Sequence, residues 1–514
     1  MRPAAAGDLA PAPSRRQWVW LLVAVAGLLL FRLGGRGLNE PDEGRYTNIA
    51  LGMLEPGSSV LEPRMSDFGH YDKPPLTYWL TALAFRTFGV SETAARLTPL
   101  IGAVLALCGI GWAAFRFYGA RTAWWAVLMT ATVGQFWLLA RFLSPDMLLT
   151  GFTTLAIAAW AEGRHRQGSW SWWSLSLLLW TAAWWTKATA ALVPLLGLTV
   201  GLLARQDRDG LRALRPLRML VAMILLGLPW YLDMVWEHPE LKQFFLGREV
   251  VGRIAGHPDG RKAPLFFHVL VTLGAWLPWW PVALGALGWW WKRRRAAGGA
   301  AARWRTWPLE IWITLTGLAV FSVISSKLPT YTLPFAPWAA LFGATVWQRL
   351  ADEGRRFASL RGRLFTAGGF AVAYLAVALA QPLIESRAGR NSSVRQLAGY
   401  LKQQGAQTVY LDRYWPGMEF YFGEHVHFVV PSPPRQRGDD LGLCSTLGEP
   451  HFVKPEGWLT NLGRHSHDSV WLVSLRQTPQ TPLLQASALG ELVASNRVGD
   501  FVLWRLEWPR TARH

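Results

Sequence analysis

Runs of about 20 mostly apolar residues recur along the chain. A helix needs that length to cross the hydrocarbon core of a bilayer, and only helices or closed barrels satisfy their backbone polar groups there. Eleven such runs are read, at approximately 17–33, 97–116, 122–140, 146–161, 170–186, 188–204, 217–236, 265–291, 307–325, 330–348 and 364–384. Hydrophobic types make up 51% of the 514 residues and charged types 17%, and there are 32 Trp. Soluble domains carry about 25% charge, so this balance excludes a disordered chain, a collagen-like chain and an ordinary cytosolic enzyme. The first run follows Arg15 and Arg16 and leads into Arg32-Leu-Gly-Gly-Arg36 with no small-residue cleavage site. It reads as an uncleaved anchor.

The formal charge of +19 comes from 52 Lys and Arg against 33 Asp and Glu. In a soluble chain such a charge points to nucleic acid; here the basic residues fall in short loops between apolar runs, so no nucleic-acid partner is expected. With the N-terminus in the cytoplasm, the basic loops (Arg116/Arg121, Arg164/Arg166, Arg205–Arg218, Lys292–Arg295 and Arg349–Arg363) all fall on the cytoplasmic side, as the positive-inside rule requires. The reading is then a cytoplasmic tail at 1–16, a transmembrane domain at 17–385 with a long outer loop at 34–96, and an extracytoplasmic domain at 386–514. The last segment is polar and mixed, with a helical pattern at Ser393–Gln404, strand-like runs at 407–411, 427–430, 470–473 and 501–504, and a second helix at 481–496. The fold class is therefore mainly α, a polytopic membrane protein of about eleven spans with a small C-terminal α/β domain. Cys108 and Cys444 form no metal or redox spacing.

The outer loop concentrates charge. Asn39-Glu40-Pro41-Asp42-Glu43-Gly44-Arg45-Tyr46 offers a cap at Asn39, a proline suited to a first turn and acids suited to the positive end of a helix. Tyr46, Ile49, Ala50, Met53 and Leu54 follow at helical spacing, which predicts an amphipathic helix along the membrane surface. Asp42 and Arg45, three apart, share one of its faces. Tyr71-Asp72-Lys73-Pro74-Pro75 then precedes a second predicted helix to Phe88, with Leu76, Trp79, Leu80 and Leu83 as its apolar stripe. A lysine at a helix start suits a phosphate group. Surface ion pairs on interfacial helices would give the same spacing, but here acid–cation pairs recur at two helix starts in a loop otherwise built to lie against lipid.

These residues carry a resemblance. Glu40-Pro-Asp-Glu-Gly-Arg-Tyr46 and Tyr71-Asp-Lys-Pro-Pro75, followed in order by Arg96-Leu-Thr-Pro99, Arg141-Phe-Leu-Ser-Pro-Asp146, Trp185-Thr-Lys187 and Ser326-Lys-Leu-Pro-Thr-Tyr331, resemble the bacterial aminoarabinose transferases that modify lipid A. More widely they resemble the protein O-mannosyltransferase superfamily with the C-type glycosyltransferase fold. The resemblance covers roughly residues 17–345 and is weak in the tail. It implies a glycosyltransferase that moves a sugar from a polyprenyl-phosphate donor to a lipid, glycan or protein acceptor with inversion. Asp42 is then the catalytic carboxylate, acting as base or orienting group, and Asp146 a second outer acid that orients substrate. Arg45, Lys73 and Lys327 bind the donor phosphate, joined by Arg248 and Arg253, for each of which a lipid-headgroup contact is the competing role. Glu43, Tyr46, Tyr71, Asp72, Lys187 and Tyr331 support the site. The expected location is the bacterial inner membrane, with the site and tail on the periplasmic side. The enzyme reading needs Asp42, Arg45, Lys73 and Asp146 around one outward-facing cavity that opens sideways to lipid, whereas a central, through-going path would favour transport.

The chemistry matches these residue types. A glycosyl transition state resembles an oxocarbenium ion, and fixed cations stabilise the departing phosphate selectively as it gains charge. A carboxylate takes the proton of an acceptor hydroxyl; an acceptor phosphate would need only orientation. The lipid A transferases carry Glu where this chain has Asp72. Their acid, with a later histidine, can hold a metal, and the counterparts here are Asp72 and His257. One Asp and one His are few ligands for a metal, so no cofactor is required and a divalent metal stays open. Lys187, inside an apolar stretch, is read equally as functional or as snorkelling outward. His425, His427, His465 and His467 are read as surface histidines. A transporter or flippase of a lipid-linked anion is the alternative, disfavoured because no repeat is evident.

Overall fold

The computed structural model describes residues 12–65, 68–246, 263–279, 284–285, 288, 291, 304–324, 327–352, 368–379, 393–412, 414–423, 426–429, 452–453, 458–465, 469–475, 486–498 and 501–508. Within these, contacts divide the chain into two units. One joins the first 31 residues to 98–377, and the other joins 32–97 to 378–514. The long outer loop therefore packs with the tail, whereas the sequence reading had set it inside the 17–385 domain.

The first unit is a helix assembly. Three described helices are long and apolar enough to cross a membrane: Glu92–Tyr118, Trp170–Ala204 and Arg208–Glu237, the last including a short basic lead-in before Pro216. Eleven spans were expected; among the described residues three helices meet both the length and the apolarity of a span, and the other predicted runs are shorter, less apolar or partly outside the described residues. The run at 122–140 forms two helices, Ala120–Ala131 and Gly134–Leu139, parted at Thr132 and Val133. The runs at 170–186 and 188–204 form the helical stretch Trp170–Ala204, kinked between them at its non-helical residue, Lys187 (φ −158°, ψ 69°). The run from 265 gives the helix Phe267–Ala275 and then turns at 276–279. Helices Pro145–His165, Leu309–Val323, Ala336–Asp352 and Gly368–Leu379 also match predicted runs. Helices approach closely where side chains are smallest: a Cβ on Gly102 would lie 2.6 Å from the backbone of Met147 and Leu148. Such small-residue contacts are the usual means of joining helices in lipid.

The second unit contains a six-stranded sheet and the folded outer loop. Strands β1 (Arg64–Met65) and β2 (Phe68–Gly69) make a small antiparallel hairpin in the loop. The tail contributes β3 (Thr408–Leu411), β4 (Val426–Val429), β5 (Phe452–Val453), β6 (Val470–Leu475), β7 (Glu491–Val498) and β8 (Phe501–Glu507), in spatial order β5-β4-β3-β6-β8-β7. The β5–β4–β3–β6 half is parallel and the β8–β7 edge antiparallel. The first two tail strands are buried throughout, as expected of parallel strands covered on both faces. Val394, Leu397 and Leu401 of helix Ser393–Gln403 cover one side, over Val409, Leu411 and Phe428. Trp458 and Leu462 of helix Trp458–Gly463 cover the other, over Tyr410, Val470 and Leu472.

The tail therefore has the predicted α/β character with two corrections. Residues 491–496, read as the end of a helix, instead belong to β7, whose leucine, valine and arginine pair in register with β8. His427 and His465 are buried, their rings 5.3 Å apart, where surface positions were expected. His425 and His467 lie outside the described residues.

Candidate active site

In the outer loop the helix begins at Asp42 and ends at Gly52. Asn39 is not its side-chain cap. Instead Glu43 reaches back, its Oε2 accepting from the Asn39 backbone N–H at 2.9 Å. The helix is also not an amphipathic rod with one free face, because Tyr46, Thr47, Asn48, Ile49 and Ala50 are all buried in protein. The second helix spans Leu76–Phe88, but it turns Thr77, Tyr78, Thr81, Ala82 and Phe85 inward. The predicted stripe lies on the opposite side, with Leu83 exposed.

Glu43, expected to support the site, instead anchors the loop. It is fully buried and meets two guanidinium groups, those of Arg36 and Arg96. Arg96 donates its Nε to Glu43 Oε1 and its Nη2 to Oε2, both at 3.0 Å. Its other donors go to the carbonyls of Leu33 (3.0 Å), Arg36 (2.9 Å) and Gly37 (2.8 Å). All five N–H directions of this buried guanidinium are thereby used. Burial acts to raise the Glu43 pKa, but Arg36 and Arg96 outweigh it and hold the carboxyl down to about 2. The sequence signal for this anchor was Arg96 at the opening of an apolar run, an ionisable group that needs a partner.

Next to this anchor is the cluster that the two loop motifs build. Arg45 Nη2 meets Asp42 Oδ1 at 2.8 Å, and Lys73 Nζ meets Asp72 Oδ2 at 2.7 Å. Lys73 Nζ also lies 5.8 Å from the centroid of the Tyr46 ring, which stacks on Tyr78 at 5.8 Å. Burial works against the charge on Lys73, but Asp72 beside it dominates and raises its pKa. The same balance, with Tyr46, Asp42 and Asp72 opposing burial, raises Arg45. Both cations thus stay charged. Asp42 is the open member, its side chain 54% exposed. Tyr71 donates its hydroxyl to Glu62 at 2.5 Å and holds the hairpin.

Glu40 of the same motif was not singled out from sequence. Its carboxyl is buried and accepts from the Gly417 N–H at 2.8 Å, while Oε2 has no partner among the described residues. Desolvation raises its pKa to about 8. Gly44 permits this packing, since a Cβ there would sit 2.5 Å from Glu40 Oε1. The tail helix Gly417–Phe422 makes further contacts with the loop. Asn48 Nδ2 donates to Glu419 at 2.5 Å, and the Leu38 N–H donates to the Tyr421 hydroxyl at 2.7 Å.

The helical unit holds a second cluster. Asp146 opens helix Pro145–His165, at the positive end that favours an acid. Lys187 Nζ meets its Oδ1 at 2.6 Å and lies 4.7 Å from the centroid of the Tyr331 ring. The break in the long helix falls at Lys187 itself, so the lysine is held inward by Asp146 and does not snorkel. Lys327 Nζ donates to the Ile324 carbonyl at 2.6 Å and meets no carboxylate among the described residues. His268, missed in the sequence, is fully buried and stacks on Tyr331 with centroids 6.1 Å apart. The rule that flags ionisable groups in apolar runs would have found it. Arg248, Arg253 and His257 lie outside the described residues.

The fold so built is that of ArnT from Cupriavidus metallidurans. It superposes on ArnT from Cupriavidus metallidurans bound to undecaprenyl phosphate with a TM-score of 0.72, at 21% identity over 96% of this chain and 98% of that one. Against the apo state of the same protein the TM-score is 0.74, and against the Archaeoglobus fulgidus oligosaccharyltransferase 0.52, at 11% identity over 94% of this chain and 72% of that one. In sequence, residues 72–232 match the dolichyl-phosphate-mannose-protein mannosyltransferase family. The chain is 30% identical over 371 residues to the undecaprenyl phosphate-alpha-4-amino-4-deoxy-L-arabinose arabinosyl transferase of Edwardsiella ictaluri, covering 70% of this chain and 65% of that protein. It is 29% identical over 370 residues to the protein of that name in Pseudomonas paraeruginosa, again with 70% and 65% coverage. The chain thus spans just under two thirds of the length of these relatives.

Proposed function

We propose that this protein is an integral glycosyltransferase of the bacterial inner membrane that transfers a sugar from a polyprenyl-phosphate donor to an acceptor on the periplasmic side. The supporting observation is the loop cluster. Two motifs about thirty residues apart supply Arg45, paired with the half-open Asp42, and Lys73, paired with Asp72, which also acts on Arg45; both cations are kept charged by these acids. Relatives of similar sequence bear names that specify an undecaprenyl-phosphate aminoarabinose donor, and an aminopentose is accordingly the first sugar to test.

In this reading Arg45 and Lys73 receive the donor phosphate. Their charges, already in place, gain most as the leaving oxygen becomes more negative, which is where stabilisation accelerates the step. Asp42 lies three residues before Arg45 on one helix face. It takes the proton of an acceptor hydroxyl as that oxygen attacks the anomeric carbon from the side opposite the departing phosphate. Where the acceptor is a phosphate, Asp42 orients it. In the helical unit, Lys327 is assigned as a further phosphate contact and Asp146, held by Lys187, as an orienting acid. Glu43 is given a structural role only. Asp72, now paired with Lys73, is the acid that would join a divalent metal, were one used. Transport of a lipid-linked anion gains no support from the relatives, which are named as transferases.

The test is transfer by the purified chain from a panel of radiolabelled undecaprenyl-phosphate sugars, aminoarabinose included, to lipid A and other membrane acceptors. Transfer by the parent and its loss in Asp42→Asn support the reading. Equal transfer by both removes Asp42 from the chemistry, and movement of intact donor across the bilayer without transfer replaces the enzyme by a flippase.

A further inference from the structure

Asp146 and His165 stand near opposite ends of one helix, Pro145–His165. At 1.5 Å per residue they are about 28 Å apart, close to the ~30 Å thickness of a bilayer core. The end near His165 therefore belongs to the membrane face opposite Asp146, and it carries a site that the transfer chemistry does not use.

A cavity of about 510 Å³ opens there, lined by Arg116, Tyr118, Arg164, His165, Arg205 and Glu310. Its arginines are held but not exhausted. Arg116 gives Nε and Nη2 to Glu162, Arg164 gives Nη1 to Asp207 at 2.7 Å, and Arg205 gives Nη1 to the Trp307 carbonyl at 3.1 Å. Each guanidinium has five N–H donors, so several remain on each. Their acid partners fix the orientation of Arg116 and Arg164 in the way a preformed phosphate site requires.

The second feature is apolar. A groove of about 350 Å³ shares Glu310 with the basic cavity and continues past Trp276, Trp279, Ile311, Leu315, Leu318 and Phe342. Ile311, Thr314, Leu315 and Leu318 line it from one face of helix Leu309–Val323. From Ile311 to Leu318 the groove runs about 10 Å along that helix, within the depth of one leaflet and short for a long polyprenyl chain. Where groove and cavity join, Glu310 is buried. Tyr118 donates to its Oε1 at 2.8 Å, and its Oε2 has no partner among the described residues, leaving an acceptor for a headgroup hydroxyl.

We infer that this composite site binds an anionic phospholipid of the leaflet opposite Asp146, with an acyl chain in the groove and the headgroup phosphate among Arg116, Arg164 and Arg205. Phosphatidylglycerol, which carries both phosphate and hydroxyls, fits the donors and the acceptor together.

The full chain is placed in phosphatidylcholine nanodiscs with graded phosphatidylglycerol, and retained lipid is counted by native mass spectrometry alongside thermal unfolding. The parent should retain phosphatidylglycerol over phosphatidylcholine and gain thermal stability from it. Arg205→Gln should bind it about fivefold more weakly, as expected for one basic residue near a lipid phosphate, while Arg205→Lys keeps most of the effect. Arg212→Gln removes the same charge from an exposed pair with Asp209 and should leave retention unchanged. Ile311→Trp, which fills the groove and touches no charge, should also reduce retention. Equal retention by parent and Arg205→Gln, or equal loss in Arg212→Gln, overturns the site. A similar thermal gain from millimolar inorganic phosphate alone removes the lipid, and displacement by polyprenyl phosphate at lower concentration removes the phospholipid assignment.

Discussion

Asp42 and Glu43 are adjacent in sequence yet belong to two regions with opposite physics. Glu43 faces a sealed network in which Arg36 and Arg96 neutralise it and no donor of Arg96 is left over. Asp42 faces a half-open cluster in which Arg45 and Lys73 are each ion-paired with one acid among the described residues, Asp42 and Asp72. A closed network has no capacity to bind anything else, whereas cations held by single acids retain donors for a phosphate. The difference shows that charge alone does not mark a site; unused hydrogen-bonding capacity at an accessible position does.

The largest expected effect comes from the open region. Asp42→Asn keeps size and removes the base, and initial transfer rates with a hydroxyl acceptor should fall about 10²–10⁴-fold with thermal stability unchanged. A rate within twofold of the parent would end the distinction drawn between the two acids. In the closed region the effects should reverse. Arg96→Met leaves Glu43 buried without its main partner and should cost about 3–5 kcal/mol of stability, read by denaturant titration in detergent. Should that variant keep parental stability, the network is not the anchor described.

Smaller effects sharpen the contrast. Lys73→Met should lower turnover about 10²–10³-fold, the loss seen when a preorganised charge-stabilising donor is removed. If instead only KM rises, Lys73 binds donor and transition state equally. The smallest effect concerns pH. Glu40 has its pKa raised from 4.5 to about 8 by burial, so its contribution to stability is fully present below 4.5 and is lost as pH rises through 8. Glu40→Gln keeps the acceptor for Gly417 N–H and should add about 1–3 kcal/mol at pH 9, the scale of a buried group left unsatisfied, with little change at pH 4. Glu43 works in the other direction. Its pKa is lowered to about 2, so its stabilisation holds above 4.5 and fades as pH falls toward 2. A thermal scan of Glu40→Gln parallel to the parent across pH 4–9 would show that Glu40 is not the titrating group.

Much of the site was legible because it is local. Asp42–Arg45 and Asp72–Lys73 are pairs three and one residue apart, and helix geometry or adjacency alone brings each together. Lys187 was legible as an anomaly in an apolar run, but its partner Asp146 is 41 residues away, and no period links them. Two of the predicted runs are interrupted for a related reason. Hydropathy averages over a window, whereas the breaks at Thr132–Val133 and after Ala275 depend on hydrogen bonds between the two segments, such as Gly134 N–H to the Leu277 carbonyl at 2.9 Å and Trp279 Nε1 to Thr132 at 2.9 Å. Strand β7 was read as a helix because Glu491-Leu-Val-Ala-Ser supports both periods until β8 pairs with it.

By itself the sequence determined the mainly helical, membrane-spanning class, the α/β character of the tail and the two charged motifs, because burial in lipid and short-range geometry act on residues close along the chain. Only the tertiary structure decided which acid of the Asp42–Glu43 pair is sealed and which is open, that Glu40 docks on Gly417, and that the outer loop packs with the tail. Those outcomes depend on where water is excluded and which distant donor arrives first, and neither is encoded in the spacing of neighbouring residues.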